Sequence, residues 1–194
     1  VSAQLLEIFM TLLYLGLALW IIAHFFKRLH PALRAKLGDK AKGGVAVAAL
    51  LGIVAMVIGY RSASIIPVYT PMAGMGHANN LLMLVSIFLF GAGSAKGVTA
   101  SKIRHPMLWG VVVWSFAHLL VNGDYASVVL FGGMGIWALV QMILINRAEG
   151  VWARPVAGPI NKDIRTVFIA LILYGIISGI HIWLGYSPFL GTYG

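Results

Sequence analysis

Six apolar runs, separated by short polar stretches, organise the 194-residue chain. They cover about residues 5–26, 44–60, 79–95, 106–121, 126–145 and 166–184. A helix needs about 20 residues to cross the hydrocarbon core, within a range of about 17–25. The first, fifth and sixth runs meet this length easily, and the second and third are borderline. The fourth is short and must use its flanks or sit where the bilayer thins. The pattern predicts an all-α, polytopic membrane protein of about six transmembrane helices in one bundle. One integral membrane domain over 1–194 accounts for the whole chain. The first run lacks a basic leader and is long enough to span, so it reads as a helix and not as a secretory signal.

The interruptions have local causes. Pro31 and Gly38 break the basic stretch after the first run. Pro67, Pro71, Gly74 and Gly76 keep residues 65–77 irregular or partly re-entrant. Pro106 suits the first turn of a helix, where a missing N–H costs nothing. Asn122-Gly123-Asp124 reads as a tight turn, with Asp124 placed to cap the next helix. Gly175-x-x-x-Gly179 in the last run is expected to admit a neighbouring backbone, chiefly within the chain and alternatively in a dimer.

Composition agrees with the pattern. The chain is 60% hydrophobic and 10% charged, whereas a soluble domain carries roughly a quarter charged residues. Its net charge of +9 does not point to nucleic acid, because the charges lie in short loops between apolar runs. Thirteen of the fourteen Lys and Arg fall on one side of the predicted bundle, in the loops after the first, third and fifth runs. Only Arg61 falls on the other. The positive-inside rule makes the basic side cytoplasmic in a bacterial inner membrane, or the matrix side in an organelle inner membrane. Both termini then face the non-cytoplasmic side. The chain has no cysteine, which excludes disulfides and thiolate chemistry. With five acidic residues, two-carboxylate acid–base catalysis is not expected. No metalloprotease or nucleotide-binding motif is present.

The chemistry concentrates in the histidines. Ionisable side chains at membrane depth are costly and are usually kept for a purpose. His24 and His105 fall at the basic side, and His118, His77 and His181 towards the other. His30 lies in the basic loop. His105 and His118 are about 20 Å apart along one helix and cannot share a metal. His24 and His105 lie at matching depth on different helices, as axial ligands of one haem iron require. Arg28, Lys102 and Arg104 are close in sequence and could meet haem propionates there. His118 with His181 or His77 is the competing arrangement. His118 shares a helix face with Trp114, Val111 and Met107, a wall suited to a flat cofactor or a hydrophobic small molecule.

Arg104-His105-Pro106-Met107-x-x-Gly110, Trp114, Ala117-His118-Leu119, Asn122-Gly123-Asp124 and Leu130-Phe131-Gly132 together resemble the signature of the NnrU family. Leu15-Gly16-Leu17 to His24, and Gly59-Tyr60-Arg61, are also similar, so the likeness covers about residues 14–147. The resemblance implies an association with denitrification, in the setting of nitrite and nitric oxide reduction. It also implies kinship with the plant zeta-carotene isomerase, a membrane protein that holds a b-type haem through two histidines and isomerises a polyene in a redox-dependent way. On that analogy His24 matches one ligand, and the second falls on His105 or His118. Phe25-Phe26 depart from the small or polar residues expected after the first ligand. The alternative expectation is a non-catalytic accessory subunit or assembly factor packed against a larger respiratory or denitrification complex in the lipid bilayer.

Overall fold

The computed structural model describes residues 3–190, and the extreme termini, expected on the sparsely charged side, lie outside the described residues. Among the described residues the chain is helical, with only an isolated bridge between Pro67 and Asp124. The helices are α1 (Ala3–Leu29), α2 (Pro31–Ser62), α3 (Met75–Ala95), α4 (Val98–Lys102) and α5 (Pro106–Leu119). They continue with α6 (Tyr125–Ser127), a π-helical turn (Val128–Gly132), α7 (Gly133–Glu149) and α8 (Ile160–Trp183).

Five stretches are long and apolar enough to cross a membrane: α1, α2, α3, the continuous Tyr125–Glu149 segment and α8. The fourth apolar run forms α5, of 14 residues. At 1.5 Å per residue that is about 21 Å, short of a ~30 Å hydrocarbon core. Many large apolar side chains face outward along these helices, among them Ile22, Leu50, Phe168 and Trp183. Such surface needs a covering of lipid or protein.

The proline and glycine breaks act as expected, except that the basic stretch after the first run, read as a loop, is helical. His30 and His105 each precede a proline and adopt similar non-helical angles (φ −127°, ψ 59° and φ −129°, ψ 63°), because the proline ring disfavours the α region for its predecessor. The basic stretch after Pro31 is itself helical and is broken only at Gly38, at φ 55°. Residues 63–74 are irregular and lie against the Asn122-Gly123-Asp124 turn. Val68 N–H donates to Gly123 O (2.8 Å), and Tyr125 N–H to Ile66 O (2.8 Å).

Contacts order the helices as α2, α1, α7, α5, α3, α8 across the bundle. The α1–α2 pair meets backbone to backbone. A Cβ at Gly16 would lie 2.7 Å from Met56 N, and one at Gly59 2.6 Å from Leu13 N. Trp20 of α1 meets Trp137 of α7 edge-on, with centroids 5.3 Å apart. Ser86 Oγ of α3 donates to Gly110 O of α5 (2.8 Å). Leu13, Met56, Val111, Met134 and Trp137 belong to the buried core at the centre. Among the described residues, the Gly175 and Gly179 pair does not serve packing within the chain. Nothing lies within 4 Å of a Cβ at either position, because α8 is an end member of the row and turns this face outward.

Candidate functional site

Polar groups gather at the two ends of the bundle. At the basic end, α1, α5 and α7 converge on residues 146–150. Arg28 Nη2 donates to Glu149 Oε1 at 2.6 Å. Arg104 Nη1 donates to Gly150 O (2.9 Å), with its other terminal nitrogen 3.9 Å from Glu149 Oε2. His105 Nε2 bonds Asn146 Oδ1 at 2.8 Å. Arg28, Arg104 and His105 are therefore brought together, and each is engaged by the end of α7. His24 lies deeper. Its Nδ1 bonds Trp20 O (2.8 Å), and its ring lies 4.0 Å from that of Trp20 and 5.0 Å from that of Trp137. Lys102 is exposed at the end of α4.

The sparsely charged end holds a cavity of about 640 Å³. His118 from α5 and His181 from α8 both line it, together with Tyr60, Arg61, Asn79 and Phe131. His118 Nδ1 lies 3.0 Å from Trp114 O, and His181 Nδ1 lies 2.8 Å from Ile177 O. A carbonyl can only accept, so each Nδ1 carries a proton, and in the neutral ring Nε2 then presents a lone pair. Tethering of one ring nitrogen to a carbonyl is the usual support for a metal-binding imidazole. His118 also stacks on Phe131, with centroids 4.4 Å apart and ring planes at 28°. Phe131 lies within the π-helical turn, an irregularity frequent at functional sites.

The expected wall around His118 is present in part. Trp114 lies 5.2 Å from the imidazole, Val111 is buried in the core, and Met107 turns outward at 54% exposure. His77 lies in the first turn of α3, and His30 joins α1 to α2; both are exposed.

The cavity wall is held by a chain of hydrogen bonds. Asp124 Oδ1 accepts Ser127 N–H at 3.0 Å, the cap expected from sequence, and Asp124 Oδ2 accepts Ser127 Oγ–H at 2.5 Å. Ser127 has one hydroxyl proton, so Tyr60 must donate in the 2.9 Å contact between Tyr60 Oη and Ser127 Oγ. From the loop over the end of α5, Tyr69 Oη reaches Leu119 O and Asn122 O, the latter at 2.9 Å.

One lining residue escaped the sequence argument. Asn79 is 8% exposed, and its Oδ1 is buried without a partner. Asn80 Nδ2 donates to Pro188 O (3.2 Å), which turns Asn80 Oδ1 towards Asn79 Nδ2, also at 3.2 Å. That sequence of donors and acceptors fixes the Asn79 amide and leaves Oδ1 free. An Asn-Asn pair opening an apolar run was the available signal.

A sequence profile described as NnrU protein matches residues 12–188. The chain belongs to the NnrU family. The match runs through α8 and so takes in His181, beyond the 14–147 span of the resemblance. The chain is also similar to two proteins from bacilli. UPF0344 protein YisL of Bacillus subtilis is 25% identical over 119 residues, and a UPF0344 protein of Bacillus velezensis is 26% identical over 114. Each alignment covers 56% of this chain and 89% of the relative. No solved structure matches the chain.

Proposed function

We propose that this NnrU-family membrane protein binds a b-type haem in the cavity at its sparsely charged end, with His118 and His181 as the iron ligands. The observation that carries the reading is the matched state of these two imidazoles. Each has Nδ1 tied to its own helix, neither Nε2 has a hydrogen-bond partner among the described residues, and both line one cavity. At about 640 Å³ the cavity falls within the ~300–1,000 Å³ typical of cofactor sites.

The protein's share of the work is positional. The carbonyls of Trp114 and Ile177 fix the ring orientations. Phe131 walls the site with an apolar face, and the turn around Asp124 closes it from the side of the loop. When bound, haem supplies one-electron redox chemistry. The nitrite and nitric oxide setting, and the isomerisation of a hydrophobic polyene, are the two uses that the family resemblance implies for such chemistry. The alternative pair, His24 with His105, draws less support, since Nε2 of His105 and both nearby arginines already have protein partners.

The test is a reduced-minus-oxidised absorption spectrum of the full chain, purified in detergent from haem-supplemented cells. His118→Ala and His181→Ala should each abolish the haem bands, and His24→Ala and His105→Ala should retain them. Bands that persist in both cavity variants would falsify the assignment. A second reading, an accessory subunit of a larger respiratory membrane complex, is favoured by the open space around Gly175 and Gly179. Co-purification with such a complex, lost on Gly179→Leu, would support it.

A further inference from the structure

We infer that the cavity takes a ligand whose apolar body ends in an ionised carboxylate, and that Arg61 is the counter-ion for that group. This inference rests on the reading of the cavity as a ligand site. Arg61 is the single Lys or Arg that breaks the charge bias of the chain, and it lines the cavity. Its Cζ lies 6.0 Å from the ring centroid of Tyr186, another lining residue, so the aromatic face holds the cation beside the opening.

The charge is not closed in an ion pair. Among the described residues, no ion pair involves Arg61. Among the described residues the acid in the cavity wall is Asp124, whose oxygens are oriented by Ser127 and form no ion pair with Arg61. Arg28 and Arg104 at the basic end are, by contrast, both closed on Glu149. A guanidinium stays charged at any working pH, and its planar fork matches a carboxylate. The wall beyond it includes Val121, Ala126, Phe131 and Leu184, which suits a hydrocarbon body. A porphyrin with propionate arms and a long-chain fatty acid share this chemistry, and they can be told apart.

The experiment titrates the full chain, in a non-ionic detergent, with iron-free protoporphyrin IX and with its dimethyl ester, following porphyrin fluorescence. Protoporphyrin IX should bind roughly ten-fold more tightly than the ester, the size expected for one charge-assisted pair. Arg61→Gln should bring the acid down to the affinity of the ester, and Arg61→Lys should keep part of the preference. Displacement of bound protoporphyrin by palmitate assigns the site to chain acids, and failure to displace assigns it to planar ones. Equal affinity for acid and ester in the unaltered protein overturns the inference, as does a preference that survives Arg61→Gln, or no saturable binding of either porphyrin. The probe carries no iron, so its binding does not depend on axial ligation. Haem bands that survive the His118 and His181 substitutions, with the acid preference intact, sink the ligand assignment alone. Loss of the preference, with the bands behaving as expected, sinks the role of Arg61 alone.

Discussion

The two ends of the bundle carry similar residue types and use them in opposite ways. At the basic end, two arginines and a histidine meet a carboxylate, an amide and a carbonyl, and each finds a partner. At the sparse end, two imidazoles and an arginine line a cavity without such closure, and the Asn79 oxygen behind them has no partner among the described residues. Closed polar clusters fasten helices together. Open ones spend stability to keep atoms available, which is the pattern expected of a binding site. The difference lies less in which residues are present than in where their hydrogen bonds go.

Thermal unfolding of the loaded protein gives the widest separation between the ends. Haem at 100 times its dissociation constant should stabilise the folded chain by about 2.7 kcal/mol. That gain should vanish in His118→Ala and persist in His105→Ala. A gain lost only in His105→Ala would reverse the comparison.

The next effect concerns the loop over the cavity. Tyr69→Phe removes the donor to Leu119 O and Asn122 O and should cost about 1 kcal/mol in denaturant unfolding. Burial, and then the negative charge of Asp124, push the Tyr69 hydroxyl above its ordinary value of 10.0. A raised folded-state value means that the contribution is fully present below pH ~10 and is lost as pH rises through the higher folded value. The Tyr69→Phe variant should lack that alkaline loss.

Glu149→Gln at the basic end should cost about 0.5 kcal/mol, because the Glu149 side chain is 50% exposed and its ion pairs are screened. The cost should shrink further in high salt. Asn79→Leu should give the smallest change in the ligand-free protein, within about 0.5 kcal/mol, since it removes an orphaned acceptor along with one long hydrogen bond. The same substitution should weaken ligand binding measurably. A large loss of ligand-free stability would show that Asn79 is structural.

The helices could be read from the apolar runs, and most of their ends from Pro31, Pro106 and Asp124. The stretch between Pro31 and Gly38 was not, since its charges masked a sequence that can form helix, and only Gly38 takes the positive φ that breaks it. Counting along the chain placed His118 and His181 towards one end, but it set His24 and His105 at one depth, whereas His24 packs on Trp137 and His105 bonds Asn146 further along α7. It gave no view of Asn146 and Glu149, which approach from α7 more than 40 residues later. Nor could periodicity reveal that the side-chain oxygen of Asn79 is buried without a partner among the described residues. Such facts depend on neighbours that only the packed bundle supplies. The Gly175 and Gly179 spacing shows the reverse error, a packing motif with no partner among the described residues.

The wide turn at Val128–Gly132 has one more consequence. A π turn accommodates one residue beyond the ordinary helical count, and each residue in a helix corresponds to about 100° of rotation. Deleting a single residue from Val128–Gly132 would therefore act as a phase error between the two halves of the Tyr125–Glu149 rod. With Trp137 still seated against Trp20, the half bearing Tyr125 to Ser127 would be swung out of step, and Phe131 with it. The stacking partner of His118 is thus set by an arithmetic offset in the chain, and a shorter sequence of the same composition would aim it elsewhere.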